Sequence, residues 1–172
     1  MKINFSDCVL KAKAGDADAF AELYSLVYQD LYHIAYCNLR NSHDAADAVS
    51  DAVLDAFLSI AKLKDEKAFK AWIIKILTVK IKRKQTEYIN NRNFTSEMPE
   101  EIEHIEIKDA FSNIEIIEQI NKLNENERLV FSLNIICGYS SEEIGVMTGL
   151  NPSTVRSHLH RARERLKERL QV

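Results

Sequence analysis

The scarcity of glycine and proline restricts the fold of this chain more than any other feature of its sequence. The 172 residues include four glycines and two prolines, whereas β-sandwiches, barrels and Gly-rich phosphate-binding folds use these residues repeatedly at their turns. Hydrophobic residues make up 46% of the chain and charged residues 28%, which is typical of a folded globular protein and too apolar for a disordered one. The sequence therefore predicts an all-α fold.

Three amphipathic helices are predicted in the first half, because apolar residues there recur at spacings of three and four. Asp16 can cap the first of them, which runs to about Arg40. The second begins near Ser42 and the third around Lys67. Acidic side chains occupy a second face of the middle helix, at Asp44, Asp47, Asp51 and Asp55.

A helix-turn-helix is predicted in the last third of the chain. Two helix starts carry the capping-box pattern, Asn124 with Glu127 and Ser140 with Glu143, and a glycine follows each of these helices. A longer basic helix begins at Pro152, in the first helical position, where the missing N–H of proline costs nothing. This order of elements is typical of proteins that read the DNA major groove, although a tight hairpin in an ordinary helical bundle can share it.

The basic helix offers hydroxyl, imidazole and guanidinium groups for contacts with base edges and phosphates. The candidates for these contacts are Ser153, Thr154, Arg156, Ser157, His160, Arg161 and Arg163. Arg156 and His160 are one turn apart and can enter a major groove, whereas Arg161 and Arg163 are better placed for phosphates.

Charge alternates in blocks along the chain. Residues 1–60 hold 4 basic and 9 acidic side chains, residues 61–92 hold 10 and 3, residues 93–127 hold 2 and 10, and residues 128–172 hold 7 and 4. The net charges of the blocks are therefore −5, +7, −8 and +3. Two basic segments separated by an acidic one indicate two surfaces that face polyanions. Solvated helix faces are the alternative interpretation of the same pattern.

The middle of the chain predicts a linker between two helical domains. The helical periodicity weakens there, and Pro99 occurs among several glutamates. We expect a flexible acidic linker over residues 86–112, with helical domains over residues 5–85 and 113–172. A spacer that only improves solubility is the alternative to a functional linker.

Short motifs of the last third match a known family. They are Glu127-Arg128, Gly138-Tyr139-Ser140, Glu142-Glu143-Ile144-Gly145, Thr154-Val155-Arg156-Ser157 and Arg161-Ala162-Arg163. The segment from Leu123 to Leu170 that contains them resembles region 4 of bacterial sigma factors. Region 4 is itself similar to other bacterial helix-turn-helix regulators.

The first half extends this resemblance in the order of the family. Gly15 to Leu31 resembles region 2.1. The run Asp44-Ala45-Ala46-Asp47, followed by Asp51, resembles region 2.2, and Phe69-Lys70-Ala71-Trp72-Ile73 resembles the start of regions 2.3 to 2.4. Region 2 followed by region 4 in a chain of this length resembles the extracytoplasmic-function (ECF) sigma factors.

The resemblance implies a transcription initiation factor that acts by binding, without covalent chemistry or a cofactor. Region 4 is expected to bind the −35 element as duplex, and region 2 to open and hold the −10 element. The acidic residues Asp44, Asp47, Asp51 and Asp55 are expected to bind the core RNA polymerase. The cations expected along the −10 DNA backbone are Lys75, Lys80, Lys82, Arg83 and Lys84. An anti-sigma factor is a further expected partner, and no small-molecule substrate is expected.

Two other function classes remain open at this point. A stand-alone regulator that dimerises through its N-terminal helices would bind DNA without polymerase. An enzyme fits the sequence poorly, because no nucleophile triad, metal-ligand or phosphate-loop spacing occurs.

The cysteines and the N-terminus indicate the cellular compartment. Cys8, Cys37 and Cys137 are far apart, which favours reduced thiols over a disulfide framework or a zinc site. The sequence has no basic start followed by an apolar run, and no stretch near the ~18 apolar residues of a membrane span. We expect a cytoplasmic protein without membrane insertion.

Overall fold

The computed structural model describes residues 5–91 and 119–170, with side chains described up to residue 168. Helix follows helix through both ranges, without a strand in either, which confirms the predicted all-α class. The α-helices of the two ranges are α1 (Phe5–Lys13), α2 (Ala17–Leu39), α3 (Ser42–Ser59), α4 (Phe69–Asn91), α5 (Glu125–Cys137), α6 (Ser141–Thr148) and α7 (Pro152–Leu170).

Capping side chains define most helix starts, as the sequence predicts. The Asp16 carboxylate accepts a hydrogen bond from the Ala19 backbone N–H at 3.0 Å, and α2 ends at Arg40 in the left-handed conformation, with φ of 56°. Asn124 and Ser140 each form a complete capping box. Helix α1 is an addition to the three helices predicted for the first half.

Helix α4 extends beyond the expected end of the first domain at residue 85. It continues past residue 85 to Asn91, so the beginning of the expected linker is helical. The rest of that linker, residues 92–112, lies outside the described residues.

The first half folds as a bundle in which α1, α3 and α4 surround α2. Its core is built from large apolar side chains that are completely buried, including Leu23, Leu31, Ile34 and Phe69. The Phe20 and Phe69 rings meet edge to face, with centroids 6.3 Å apart. Each such side chain contributes about 1.5–3 kcal/mol by leaving water, which stabilises the bundle that carries the acidic face of α3.

The second half forms the predicted helix-turn-helix. Gly138 and Gly149 end α5 and α6 with φ of 71° and 75°, a backbone conformation that favours glycine. Val155 and Leu159 of α7 are buried, so the opposite side of α7 faces solvent. The short α6 and the long α7 therefore present one exposed helix over a packed support.

The two halves share one apolar core rather than standing apart. Helix α2 packs on α5, and α4 packs on α6. Polar contacts join the same helices, with the Asn38 side-chain amide donating to Ser132 Oγ at 3.1 Å and Thr78 Oγ1 donating to the Met147 carbonyl at 3.2 Å. The second half of the molecule is thereby docked on the first.

This docking corrects one expectation about α4. Lys80 and Arg83 continue the row of apolar residues along one side of α4. Their charge predicts that the basic C-terminal end of the helix projects away from the core. In the structure Ile81 is completely buried and Gln85 is 7% exposed. The helix remains covered because α6 supplies a second packing surface that the sequence of α4 does not reveal.

Arg128 is the charged group most deeply enclosed between the halves. Its guanidinium donates to the Leu123 carbonyl at 2.8 Å and to the Asn38 carbonyl of α2 at 3.4 Å. Burial, with a smaller contribution from Arg40, lowers the pKa of Arg128 to about 10. The side chain therefore stays charged at neutral pH and satisfies carbonyls from both halves.

We predict that Arg128→Met lowers the free energy of unfolding by about 2–3 kcal/mol, because two buried carbonyls lose a charged donor. Lys167→Met, on an exposed side chain, is the control and is expected to change stability by less than about 0.5 kcal/mol. Urea denaturation followed by circular dichroism measures both. Equal stability of the two variants would contradict this role of Arg128.

Candidate nucleic-acid and protein interfaces

The four acidic residues predicted on α3 form an acidic stripe along that helix. Asp51 is exposed, Asp47 and Asp55 are about half exposed, and Asp44 is the most covered of the four. Asp47 and Asp51 therefore present carboxylates to a partner without disturbing the packed face of α3.

An apolar patch lies beside this acidic stripe and consists of Leu54, Phe57 and Leu58. Leu54 is 57% exposed and Leu58 is 73% exposed. The sequence predicts Phe57 on the buried face of α3, but the residue is 41% exposed, and its ring meets that of Phe20 edge to face with centroids 5.1 Å apart. The sequence spacing could have predicted this patch, because Leu54 and Leu58 follow Asp51 by three and seven residues and therefore lie on the same face of the helix. Large apolar groups beside carboxylates are typical of a protein-binding surface.

The five cations predicted for the −10 DNA backbone form a basic row on α4, and the structure separates them into two sets. Lys75 and Arg83 are exposed. Lys80 and Lys84 turn toward α3, and Lys82 turns toward α6. The proposed DNA-facing and polymerase-facing surfaces are therefore neighbours.

Ion pairs connect the basic row to the acidic stripe. Lys80 Nζ lies 2.5 Å from Asp55 Oδ2, and Lys84 Nζ lies 3.1 Å from Asp44 Oδ1 and 3.6 Å from Asp47 Oδ2. These pairs neutralise part of both surfaces and hold α3 against α4.

Lys82 makes a contact of a different kind. Its ammonium group donates to the Thr148 carbonyl at the end of α6, at 2.8 Å. A cation at a helix C-terminus satisfies an unpaired carbonyl and interacts favourably with the helix dipole. One of the cations predicted to bind the −10 element is thus bound to the helix-turn-helix instead.

Asp44, the most covered residue of the acidic stripe, is bound by both Lys84 and Tyr88 of α4. Burial alone raises the pKa of its carboxyl, but hydrogen bonds from Tyr88 and Lys84 outweigh burial and hold the pKa below its usual range. The same contacts act on the phenol, since burial and the hydrogen bond to Asp44 raise the pKa of Tyr88. Asp44 therefore binds α4, whereas Asp47 is about half exposed and keeps only a longer contact of 3.6 Å to Lys84, and Asp51 is exposed.

We predict a pH-dependent effect of Tyr88→Phe. A lowered pKa means that ionised Asp44 stabilises the fold above about pH 4, and this contribution is lost as pH falls through the folded-state pKa. Tyr88→Phe is expected to cost about 1 kcal/mol at pH 7, a magnitude reduced by partial exposure, and less near pH 3. Urea denaturation at both pH values tests this, with Tyr28→Phe as the control. A deficit of the same size at both pH values would count against the Asp44 contact.

Most of the residues predicted to contact the −35 element lie together at the start of α7. The Asn151 side chain accepts a hydrogen bond from the Ser153 backbone N–H at 2.9 Å and caps the helix start. Six of the seven predicted −35 residues line one shallow concavity, namely Ser153, Thr154, Arg156, Ser157, His160 and Arg161. The positive end of the α7 dipole opens at this concavity, which suits phosphate binding.

The remaining predicted residue, Arg163, lies further along α7 and faces α5. Its guanidinium donates to the Asn134 side-chain oxygen at 3.0 Å. Arg161 also approaches α5, with Nε 3.7 Å from the Glu127 carboxylate, which is completely buried and is paired with Arg165 at 2.7 Å. These contacts hold the arginines of the last turns in defined positions.

His158 does not share the chemistry of the flanking arginines. Burial and the neighbouring Arg161 lower the pKa of its imidazole, so the ring is neutral at pH 7. It therefore adds no positive charge to the reading face.

Residues 5–91 and 119–170 bring together no group of three histidine, cysteine or carboxylate side chains that could hold a metal ion. None of the described helices combines the length and the apolar character that a membrane span requires.

Comparisons with known proteins agree with this geometry. The Sigma-70 region 2 model matches residues 23–87, and the Sigma-70 region 4 model matches residues 113–166. The ECF RNA polymerase sigma factor SigW of Bacillus subtilis is 27% identical over 184 aligned residues, covering 99% of this chain and 98% of SigW.

Two solved structures share the fold. CnrH in complex with the cytosolic domain of CnrY has a TM-score of 0.70 and 20% identity, and covers 97% of each chain. The sigma factor RpoE of Bartonella quintana, in complex with the anti-sigma factor NepR, has a TM-score of 0.70 and 22% identity over 89% of this chain and 97% of RpoE. With region 2 and region 4 both matched in the order found here, the chain belongs to the ECF group of the sigma-70 family.

Proposed function

We propose that this chain is an alternative sigma factor that directs core RNA polymerase to specific promoters and initiates transcription in the bacterial cytoplasm. It acts by binding alone, with no catalytic residue of its own. The observation that carries the proposal is the joint presence of an exposed acidic and apolar surface on α3 and an open reading face on α7. A stand-alone regulator needs the second surface, but the carboxylates of α3 would repel those of a second copy across a two-fold dimer interface.

The polymerase-binding surface consists of the acidic stripe and the apolar patch. Carboxylates steer the approach of a basic partner, and exposed leucines supply the area that is removed from water on docking. The carboxylates come from Asp47 and Asp51, and the apolar area comes from Leu54 and Leu58. None of these four residues is part of the bundle core. Asp44 and Asp55 contribute indirectly, since their pairs with lysines of α4, at 3.1 and 2.5 Å, are shorter than the 3.6 Å contact of Asp47.

The promoter-binding surfaces are the basic row of α4 and the concavity of α7. Lysines along α4 follow the backbone of the −10 element, where phosphate contacts position the DNA without reading its sequence. Arg156 and His160 of α7 read base edges of the −35 element in the major groove. Arg161 and Arg163 hold the flanking phosphates.

Simultaneous use of both surfaces requires the two halves to separate. The names of the −10 and −35 elements give their positions along the promoter, so the elements are about 25 base pairs apart. This separation is ~85 Å along B-form DNA. A compact chain of this length is roughly 40 Å across, and its α4 and α6 are in contact. We infer that the docked arrangement is the resting state and that polymerase binding is coupled to opening, which also releases Lys82 from Thr148.

An anti-sigma factor is the partner that we propose for the resting state. Two solved structures of similar fold are complexes, one with the cytosolic domain of CnrY and one with the anti-sigma factor NepR. A protein that binds across the docked halves favours the compact arrangement by mass action.

We predict that the double substitution Asp47→Lys and Asp51→Lys weakens binding to core RNA polymerase at least about tenfold, because like charges then meet at the interface. The helical content is expected to stay unchanged, since both side chains lie off the packed face. Asp18→Lys, at an exposed position on α2, is the control for charge reversal. Retained affinity of the double variant in a pull-down with core polymerase would remove these residues from the interface.

We also predict that two arginines of α7 differ in their effects on transcription. Arg156→Ala is expected to relax the preference at one −35 position, at a cost of about 1–3 kcal/mol. Arg163→Ala is expected to weaken initiation for every −35 sequence and to flatten the salt dependence. In vitro transcription on a small library of −35 variants at two salt concentrations measures both effects. An unchanged sequence profile and full activity of Arg156→Ala would refute α7 as the −35 reader.

A further inference from the structure

Glu142 of α6 is paired with the candidate base reader of α7. Its Oε1 atom lies 2.8 Å from Arg156 NH1, and both side chains are more than half exposed. The pair bridges the two helices of the helix-turn-helix at the edge of the concavity. Glu142 also lies in the first turn of α6, where the helix dipole favours a carboxylate.

This carboxylate is unexpected on a surface that binds a polyanion. In helix-turn-helix complexes the first helix crosses the DNA backbone while the second enters the groove. An acidic side chain at the start of α6 therefore lies near phosphates and opposes their binding unless a cation neutralises it. Arg156 supplies that cation, so the pair adds little net charge to the interface.

The pair orients the Arg156 side chain and adds little attraction to DNA. An exposed ion pair contributes little to stability in water. When DNA displaces water from the surface, the interaction strengthens because the local dielectric falls. An arginine fixed by a carboxylate loses less side-chain freedom when its planar group meets a base edge, which improves discrimination between bases.

Resting on the proposed function of α7 as the −35 reader, we propose that Glu142 is a positioning residue that sets the base preference of Arg156. It acts through the arginine and makes no base contact of its own. Without Glu142, Arg156 turns to the nearest phosphate, so binding gains charge attraction and loses sequence discrimination.

The test uses Glu142→Gln, Arg156→Ala and the double variant in the full-length chain, assembled with core polymerase. Glu164→Gln is the matched control, because it removes one negative charge from an exposed site on α7. Discrimination among −35 variants and the salt dependence of promoter binding are measured for each protein. Circular dichroism and thermal melting confirm that the fold is unchanged.

We expect Glu142→Gln to reduce discrimination about two- to fivefold, at the same −35 position that Arg156→Ala affects. The slope of log affinity against log salt is expected to steepen by up to about one. Glu164→Gln is expected to leave the base profile unchanged. The double variant is expected to match Arg156→Ala in its base profile.

Four results would overturn the proposal. An identical effect of Glu142→Gln and Glu164→Gln assigns Glu142 a general charge effect. A changed profile for Glu142→Gln in the Arg156→Ala background means that Glu142 contacts a base directly. A wild-type chain with no −35 preference overturns both this inference and the proposed role of α7, whereas loss of preference in Arg156→Ala alone, with Glu142→Gln unchanged, overturns only the inference.

Discussion

Helix α4 is enclosed by packing partners on more than one side, and the arrangement of the acidic stripe and the basic row follows from this burial. Ile73, Ile74, Leu77 and Ile81 are all completely buried. The helix packs on α2 and α3 in its own half and on α6 in the other. Its lysines must therefore leave along the edges of these contacts, where they meet the carboxylates of α3 and the last carbonyl of α6.

The contact between the halves combines a stabilising apolar core with imperfect polar pairing. Asn38 and Arg128 are both nearly buried there, yet Asn38 Oδ1 and Arg128 Nε have no hydrogen-bond partner among the described residues. An unpaired buried polar atom costs free energy that water repays when the surface opens. Such an interface suits reversible docking.

Local sequence signals predicted much of the fold because helix ends are encoded within a few residues. Asp16, Asn124 and Ser140 cap helices through contacts no more than three residues away, and a reader of the sequence needs no tertiary structure to find them. The same holds for the reading face of α7, whose polar residues share one side of a single helix. Recognition of the family extended this to the order of the two regions.

Tertiary contacts account for what the sequence did not reveal. Lys80 and Lys84 read as part of a basic surface, but neutralisation by Asp55 and Asp44 depends on how α3 packs against α4. The burial of Ile81 depends on docking of the second half. Glu142 belongs to a motif of α6, and only the fold brings it to Arg156 across fourteen positions of sequence.

The separation of the two halves is the central claim, and a distance measurement between them tests it most directly. Spin labels at Val79 of α4 and Val146 of α6, both exposed, report this separation by double electron–electron resonance. In the free chain we expect one distance well within the roughly 40 Å of the compact fold. In a transcriptionally active complex with core polymerase and promoter DNA, that distance should be replaced by a longer one, toward the ~85 Å spacing of the two elements. Persistence of the short distance in the active complex would contradict the account.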